Sequence, residues 1–194
     1  NQAIVYFKNE EGRYKEAGNI KNAVPFLHQD PDSDEILGQC EESGRDQGHA
    51  TLCVSLMGAF CQMAYSIGED LFAFDNYRAV AMAEYVGKYN LIKDEAFNKG
   101  TLVGDDFVYD SNSFPYTSYS NPSYTNATIS TDQRGTKRPA WELFYGYCKA
   151  KGISSIYSGK WAEQMRPDGG GGNYGPNSGG FDQLGFGTLM YYRE

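Results

Sequence analysis

The apolar residues between positions 49 and 66 limit the possible fold more than any other feature of the chain. Leu52, Leu56, Phe60 and Met63 recur at spacings of four, four and three residues, which matches the 3.6-residue period of an α-helix. The spacing predicts a helix over residues 49–66 that buries this stripe of side chains against the rest of the protein.

A second helix is predicted over residues 75–90. Its apolar side chains recur at steps of three residues: Val80, Ala83, Val86 and Tyr89. Asp75 can cap the start of this helix, because an Asp side chain accepts hydrogen bonds from the unpaired N–H groups of a first turn. Two helices of similar length joined by a short link predict an antiparallel helical hairpin.

The rest of the chain gives one more clear helix. Residues 91–137 lack periodicity and are rich in Tyr, Ser, Asn and Pro, which indicates a functional loop or lid, with plain disorder as the alternative. A third helix is predicted from Pro139 to a stop at Gly152, and the short amphipathic segment 158–165 follows it. Seven glycines between positions 168 and 180 predict a tail with tight turns.

These elements predict an all-α class, either a bundle or a ring of antiparallel αα-hairpins with long loops, in a single domain over residues 1–194. The chain is 40% hydrophobic, which suits a globular core. Three clear helices are few for a self-sufficient core in a chain of this length. We therefore expect an N-terminal portion of the same protein to complete a larger domain.

Composition argues against two classes of partner. The net charge of -8 disfavours binding to nucleic acid or anionic lipid, because such binding depends on clustered Lys and Arg. No apolar stretch approaches the roughly 20 residues that span a bilayer, and the first residues lack the order of a signal peptide. We expect neither a nucleic-acid partner nor a membrane partner.

The four cysteines match no zinc-binding spacing, so neither a metal nor another cofactor is expected. Cys53 and Cys61 would lie about 12 Å apart along one helix, which is too far for a disulfide. Cys40 and Cys148 are a possible disulfide pair, and buried free thiols are the equal alternative.

The segment "GQCEESGRDQGHA", residues 38–50, concentrates polar groups just before the first helix. His49 falls on the same helix side as the predicted buried stripe, so it is expected to face inward. Glu42, Arg45 and Gln47 can each orient an imidazole or meet a polar ligand. The alternative is a capping and salt-bridge network at a helix N-terminus.

Three basic residues, Arg134, Lys137 and Arg138, lie within five positions of an acidic chain and predict a local anion site. In the helix that follows, Arg138, Glu142 and Tyr145 have the spacing i, i+4 and i+7, which places them on one face. The alternative is an Arg–Glu pair beside a core tyrosine.

An Arg that binds a carboxylate, an inward His and a Tyr together suit the removal of a proton next to a carboxyl group. Cations stabilise the enolate that develops and lower the pKa of a neighbouring Tyr, which can then act as the base. The resulting phenol can protonate the leaving oxygen. The sequence contains no Gly-rich phosphate loop, GxSxG elbow or HExxH helix, which disfavours nucleotide-binding and the commoner hydrolase functions.

Five longer segments carry a family resemblance: "ESGRDQGHA", "EDLFAFDNYR", "AEYVGKYNL", "RPAWELFY" and "GGNYGPNSGGFDQLGFGTLMY". In this order they resemble the C-terminal half of the alginate-lyase-like domains of polysaccharide lyases, from about residue 37 to the C-terminus. The resemblance implies an (α/α) toroid with a polysaccharide cleft across its top. It also implies β-elimination on a uronic-acid polymer such as alginate or glucuronan, with a Tyr as base and acid and with His, Asn and Arg at the substrate carboxylate.

His49, Tyr145 and Arg138 are the residues that we expect to carry this reaction. Two other tyrosines and one other arginine are rivals for the same roles: Tyr116, Tyr119 and Arg134. The residues expected to bind the acidic polysaccharide are Glu42, Arg45, Gln47, Tyr116, Tyr119, Arg134, Lys137, Trp141, Tyr174 and Asn177. Such an enzyme would be secreted or periplasmic.

Two other functions fit the same residues. The first is a carbohydrate-binding protein that retains the cleft without catalysis. The second is a glycoside hydrolase on a helical ring, which requires two opposed carboxylates, and Glu42 and Glu142 are the pair available for it.

Overall fold

The computed structural model describes residues 2–9, 19–120 and 125–165. About 52% of the structure is helical, and two small antiparallel sheets accompany the helices. The prediction of an all-α class, and with it the (α/α) toroid, is therefore wrong. The strands escaped prediction because they are only four and two residues long, too short for an alternating pattern to stand out.

The described part of the chain contains six α-helices: α1 (Gln2–Lys8), α2 (Ile20–Ala23), α3 (Gln47–Tyr65), α4 (Phe74–Asn90), α5 (Trp141–Lys151) and α6 (Ile156–Met165). Short 3-10 helices occupy Glu41–Gly44, Asp94–Ala96 and Gly104–Asp106. Strand β1 (Phe26–Gln29) pairs with β2 (Ile36–Gln39), and β3 (Tyr119–Ser120) pairs with β4 (Thr125–Asn126).

The first sheet is fixed to the helices by a buried ion pair. Asp30 lies in the turn between β1 and β2, and its carboxylate forms a salt bridge with Lys88 of α4. The Tyr157 hydroxyl of α6 donates a hydrogen bond to the same carboxylate at 2.6 Å. Both charged side chains are almost fully buried, so the hairpin, α4 and α6 meet at one satisfied polar cluster.

The two predicted central helices are confirmed, since α3 and α4 match the predicted ranges to within two residues at each end. They run antiparallel, because Asn90 at the end of α4 donates a hydrogen bond to Gln47 at the start of α3. α4 is buried from Ala79 to Asn90 and packs against β2, α3 and α6, which makes it the central element of the core.

The predicted buried stripe of α3 lies on the wrong face. Leu56 and Met63 are 57% and 62% exposed. The buried residues follow the same spacing two positions earlier: Ala50, Val54, Gly58 and Cys61. Small residues on this face let α5 approach closely, since a Cβ on Gly58 would lie 2.8 Å from the Phe144 ring.

The start of α4 also differs from its prediction. Asp75 does not cap the helix, because Ala73 occupies the N-cap position. Instead Asp75, Asn76 and Tyr77 form a left-handed turn with φ values of 51°, 54° and 60°. The Asp75 carboxylate accepts a hydrogen bond from Arg78 Nε at 2.5 Å, which holds the turn together.

The third predicted helix and the short amphipathic helix are confirmed as α5 and α6. α5 ends at Gly152, whose φ of 67° is the left-handed conformation that favours glycine. The first turn of α6 is capped by Glu84 of α4, which accepts the N–H groups of Tyr157 and Ser158 at 2.8 and 3.0 Å. This carboxylate is buried, and its desolvation raises its pKa to about 7.

All four cysteines are free thiols. The possible disulfide between Cys40 and Cys148 is not formed, so the alternative of free thiols describes the structure. The neighbour of Cys40 is Cys53, which forms a hydrogen bond with it and, together with burial, raises the pKa of the Cys40 thiol.

Candidate functional site

Residues 42–49, called the turn below, run from the 3-10 helix Glu41–Gly44 into the first turn of α3. This turn brings a histidine and an arginine to one carboxylate. Asp46 caps α3, because its side chain accepts the backbone N–H of His49 at 2.8 Å. The other carboxylate oxygen lies 2.6 Å from His49 Nδ1. A carboxylate only accepts hydrogen bonds, so Nδ1 carries a proton, and in the neutral imidazole Nε2 is then the acceptor.

Arg45 is the second cation at this turn. Its Nε lies 3.8 Å from Asp46 Oδ2, and its Nη1 lies 3.4 Å from a Glu42 oxygen. The side chains of Arg45 and His49 are 47% and 41% exposed. The expectation that His49 faces inward is therefore wrong, because helix α3 turns the opposite face to the core. Both groups can reach a ligand at the surface.

Two residues predicted to act on substrate are instead buried under this turn. Gln47 is fully buried and donates hydrogen bonds to the carbonyls of Ser43 and Ser130 at 2.9 and 3.0 Å. Arg138 is 4% exposed and donates to Gly48 O at 3.4 Å, in the first turn of α3. These residues support the shape of the turn and do not face solvent.

The predicted helix face of Arg138, Glu142 and Tyr145 does not form. Arg138 lies before α5 begins at Trp141, so the helical spacing does not apply to it. The Tyr145 ring packs against Gly159 of α6. A Cβ added to this glycine would lie 3.1 Å from the ring. The geometry therefore supplies no triad of His49, Arg138 and Tyr145.

Trp141 and Glu142 are buried in the core. The Trp141 ring stacks on Trp161 with centroids 5.2 Å apart, and its side chain is 1% exposed, so it offers no surface for a sugar. Glu142 is 4% exposed, which removes one of the two carboxylates that the hydrolase alternative requires at the surface.

The rival tyrosines lie close to the turn. The Tyr116 hydroxyl would be 2.2 Å from a Cβ on Gly44, the residue before Arg45, so only glycine leaves room for it there. This hydroxyl donates a hydrogen bond to Asn126 O at 3.3 Å, and burial raises its pKa. The Tyr116 hydroxyl therefore lies against Gly44, the residue before Arg45.

Tyr119 is engaged in a separate pair. Its hydroxyl donates to a Glu41 oxygen at 3.3 Å. Burial and the adjacent Glu41 raise the pKa of Tyr119 to about 12, and burial and the neighbouring Glu42 raise the pKa of Glu41 to about 7. The raised pKa keeps the Tyr119 phenol protonated at neutral pH, so Tyr119 is a poor base.

A basic cavity of about 770 Å³ lies beside the turn. The described residues that line it include three cations, Lys99, Arg134 and Lys137, and neither Asp nor Glu. Hydroxyl groups complete the polar part of the lining: Thr101, Ser111, Thr131 and Thr136. A volume in this range with convergent polar groups is typical of a ligand site.

Arg134 is held rigidly at the cavity wall. Its guanidinium lies between the rings of Tyr89 and Phe107, 4.0 and 4.2 Å from their centroids. Its Nε and Nη2 donate to the carbonyls of Tyr89 and Tyr109, each at 2.7 Å. Lys137 is placed over the Phe97 ring and donates to the Phe97 carbonyl, and burial lowers the pKa of its amine.

Gln133 joins the cavity to the turn. It lines the cavity, and its Oε1 would be 2.2 Å from a Cβ on Gly48, the residue before His49. Gln133 is therefore a side chain that the cavity and the first turn of α3 share. Sequence reasoning missed Asp46, Lys99 and Gln133, although an Asp before a helical run is a recognisable capping signal.

Tyr174 and Asn177, also expected to bind substrate, lie outside the described residues. Among the residues that are described, no group of three or more His, Cys, Asp or Glu side chains is arranged to hold a metal ion. Within the same part of the chain, no helix combines the length and the apolar character needed to cross a bilayer.

No protein-family model, no curated protein and no solved structure matches this chain. The side chains of the turn and of the basic cavity are therefore the basis for assigning a function.

Proposed function

We propose that this chain is a polysaccharide lyase that cleaves a uronic-acid polymer by β-elimination. The observation that carries the proposal is the shared Asp46 carboxylate, which positions His49 and Arg45 together at the surface, with distances of 2.6 Å to Nδ1 and 3.8 Å to Nε. The resemblance of "ESGRDQGHA" to alginate-lyase-like domains supports the same assignment, since this segment contains the whole turn.

The residues of the turn suit the separate requirements of the reaction. Arg45 neutralises the substrate carboxylate, which makes the proton on the adjacent carbon acidic. His49 Nε2 accepts that proton, because Asp46 fixes the proton of the ring on Nδ1. The electron pair forms the new carbon–carbon double bond as the bond to the leaving oxygen on the next carbon breaks.

Tyr116 is the group that we assign to the leaving oxygen. Burial raises its pKa, so the phenol is protonated at neutral pH and can donate its proton. The sequence suggested one tyrosine for both the base and the acid role. This assignment gives the base role to His49 and the acid role to Tyr116. It also transfers those roles from Tyr145, which packs against α6, to side chains at the turn.

A carbohydrate-binding protein without catalysis is the second candidate. The pKa values of Tyr116 and Tyr119 are both raised, the opposite of what a tyrosine base requires. If His49 does not accept a proton either, the same turn and cavity would bind a polyuronate without breaking it.

The deciding experiment is ultraviolet absorbance during incubation with alginate blocks, glucuronan and a neutral glucan. A rise with a polyuronate only, lost in His49→Asn and in Tyr116→Phe, is expected for the lyase. His28→Asn is the matched control, because His28 lies on β1 and pairs with Gln39. Binding of a polyuronate with no unsaturated product would instead support the binding protein, and new reducing ends without absorbance would indicate hydrolysis.

A further inference from the structure

We infer that the basic cavity is a second carboxylate subsite, which holds the uronate next to the one at His49. This inference rests on the proposed function for the identity of the polymer. Gln133 lines the cavity, and its Oε1 would lie 2.2 Å from a Cβ on Gly48, the residue before His49, so we assign neighbouring sugars of one chain to the two subsites. The ligand class is thus a polymer with a carboxylate on consecutive sugars.

Arg134 is prepared to receive a carboxylate. Two of its five N–H groups donate to backbone carbonyls, and among the described residues no hydrogen bond uses the other three. The two aromatic rings fix the plane of the guanidinium, so little side-chain entropy is lost when an anion binds. Charge-assisted bonds from a rigid guanidinium are among the strongest that a carboxylate can accept.

Lys137 and Lys99 differ in how far their charge is already neutralised. Lys99 forms a salt bridge with Asp106. Lys137 donates to a backbone carbonyl, and within the described ranges no carboxylate lies within salt-bridge distance of its amine. An anion that enters the cavity therefore gains more from Lys137 than from Lys99.

The hydroxyl groups favour a sugar over a small free anion. Thr101, Ser111 and Thr131 line the same cavity as Arg134 and Lys137, the two cations for which no salt bridge is found among the described residues. A uronate presents a carboxylate and several hydroxyls together, whereas sulfate presents charge alone. The volume of about 770 Å³ is also far larger than one inorganic anion requires.

The test is calorimetric titration of the full chain with a homouronate tetrasaccharide, a hyaluronan tetrasaccharide in which uronates alternate with neutral sugars, and sodium sulfate. We expect the homouronate to bind most tightly. Lys137→Gln should weaken that binding about tenfold, while Lys160→Gln, at an exposed lysine that does not line the cavity, should change it by less than about twofold. Thermal unfolding of each variant verifies that the fold is intact.

Three outcomes would overturn the subsite. Equal binding of the homouronate by wild type and Lys137→Gln would remove the cavity from the ligand path. Equal affinity for both tetrasaccharides would deny a second carboxylate contact, and sulfate binding as tight as the homouronate would identify a site for free anions. Titration needs no turnover, so a protein that binds as expected without forming unsaturated product would refute the lyase and retain the subsite.

Discussion

At the scale of single residues, Asp46 links folding to the proposed chemistry. One oxygen caps α3 through the His49 N–H, and the other holds the imidazole and lies near Arg45. Asn and Asp cap helices about equally well, but a neutral amide does not hold the same tautomer of a histidine. The two roles of this residue can therefore be separated by one substitution.

We expect Asp46→Asn to lower the rate of β-elimination by about two to four orders of magnitude, because His49 loses its oriented acceptor nitrogen. Stability should change by less than about 0.5 kcal/mol, since the helix cap is kept. Initial rates on a polyuronate and urea unfolding measure the two effects. The control is Asp105→Asn, an exposed residue of the Gly104–Asp106 turn, and an equal loss in both variants would contradict the role of Asp46.

Single residues also show the limit of sequence reasoning about the site. It selected His49 as an inward-facing residue from its helical spacing, but the side chain is 41% exposed. It selected Arg138 and Trp141 from the same kind of local pattern, but both are buried. The spacing of residues along a chain does not reveal which side of an element faces a neighbour, and that side decides whether an Arg is a ligand or a support.

At the scale of elements, α3 shows the same limit. Its two stripes, at positions 52, 56, 60, 63 and at 50, 54, 58, 61, have the same period. The larger side chains predicted the first stripe, but the second is buried because its small residues allow α5 to approach. Periodicity identified the helix, and only contact with α5 determines its orientation.

This orientation predicts that two substitutions in α3 destabilise the protein to very different extents. Gly58→Val should destabilise the protein by about 1–3 kcal/mol, because its Cβ alone would lie 2.8 Å from Phe144. Leu56→Ala should cost less than about 0.5 kcal/mol, because Leu56 is 57% exposed. Urea unfolding of the two variants tests the prediction, and the reverse order would restore the stripe that the sequence suggested.

The left-handed turn of α4 predicts a stabilising substitution. Asn76 is exposed and has a φ of 54°, a conformation in which glycine is not strained. Asn76→Gly should therefore raise the free energy of unfolding by about 0.5–1 kcal/mol. Glu163→Gly, in the regular part of α6, should lower it by about 1 kcal/mol. Thermal melts of both variants compare the effects, and destabilisation by Asn76→Gly would contradict the strained turn.

The cap of α6 predicts a dependence of stability on pH. The pKa of Glu84 is about 7 in the folded protein against an ordinary value of 4.5, so the folded state binds more protons between these values. The contribution of Glu84 to the free energy of unfolding is complete below pH 4.5. It falls by about 3 kcal/mol as the pH rises through 7. Urea unfolding at pH 5 and pH 8 should show a smaller fall in Glu84→Gln than in wild type.

The matched control for this measurement is Glu163→Gln, because Glu163 is an exposed carboxylate on the same helix. Its fall in stability between pH 5 and pH 8 should equal that of wild type. Glu84→Gln also loses one hydrogen bond to the start of α6. The lost bond lowers the stability at pH 5 but does not itself alter how stability changes with pH. Equal slopes in all three proteins would show that Glu84 is not desolvated.

At the scale of the whole molecule, the sequence predicted local helices better than their assembly. The four longer helices follow from local patterns within about 20 residues, although the predicted cap of α4 at Asp75 is wrong. The β1–β2 hairpin depends on Lys88 and Tyr157, which are distant in sequence from Asp30 and converge on its carboxylate. Such long-range pairs decide that the protein is not all-α, and no local pattern encodes them.

Whole-molecule charge also predicts how binding depends on salt. The net charge is -8, but the proposed subsites carry Arg45, Arg134 and Lys137. The Debye length is about 30 Å at 0.01 M salt, so the total negative charge repels a polyuronate, and about 8 Å at 0.15 M, so the nearby cations dominate. At 1 M it is about 3 Å, and their attraction is screened as well.

The association rate of a homouronate oligosaccharide should therefore pass through a maximum between these salt concentrations. Stopped-flow measurements at 0.01, about 0.15 and 1 M salt test this expectation. The association rate of a neutral glucan should show no maximum. Lys137→Gln should lower the maximal rate for the homouronate and leave the salt concentration of the maximum nearly unchanged. A rate that falls steadily from the lowest salt would mean that local cations outweigh the total charge at every distance, because opposite charges attract most strongly where screening is weakest.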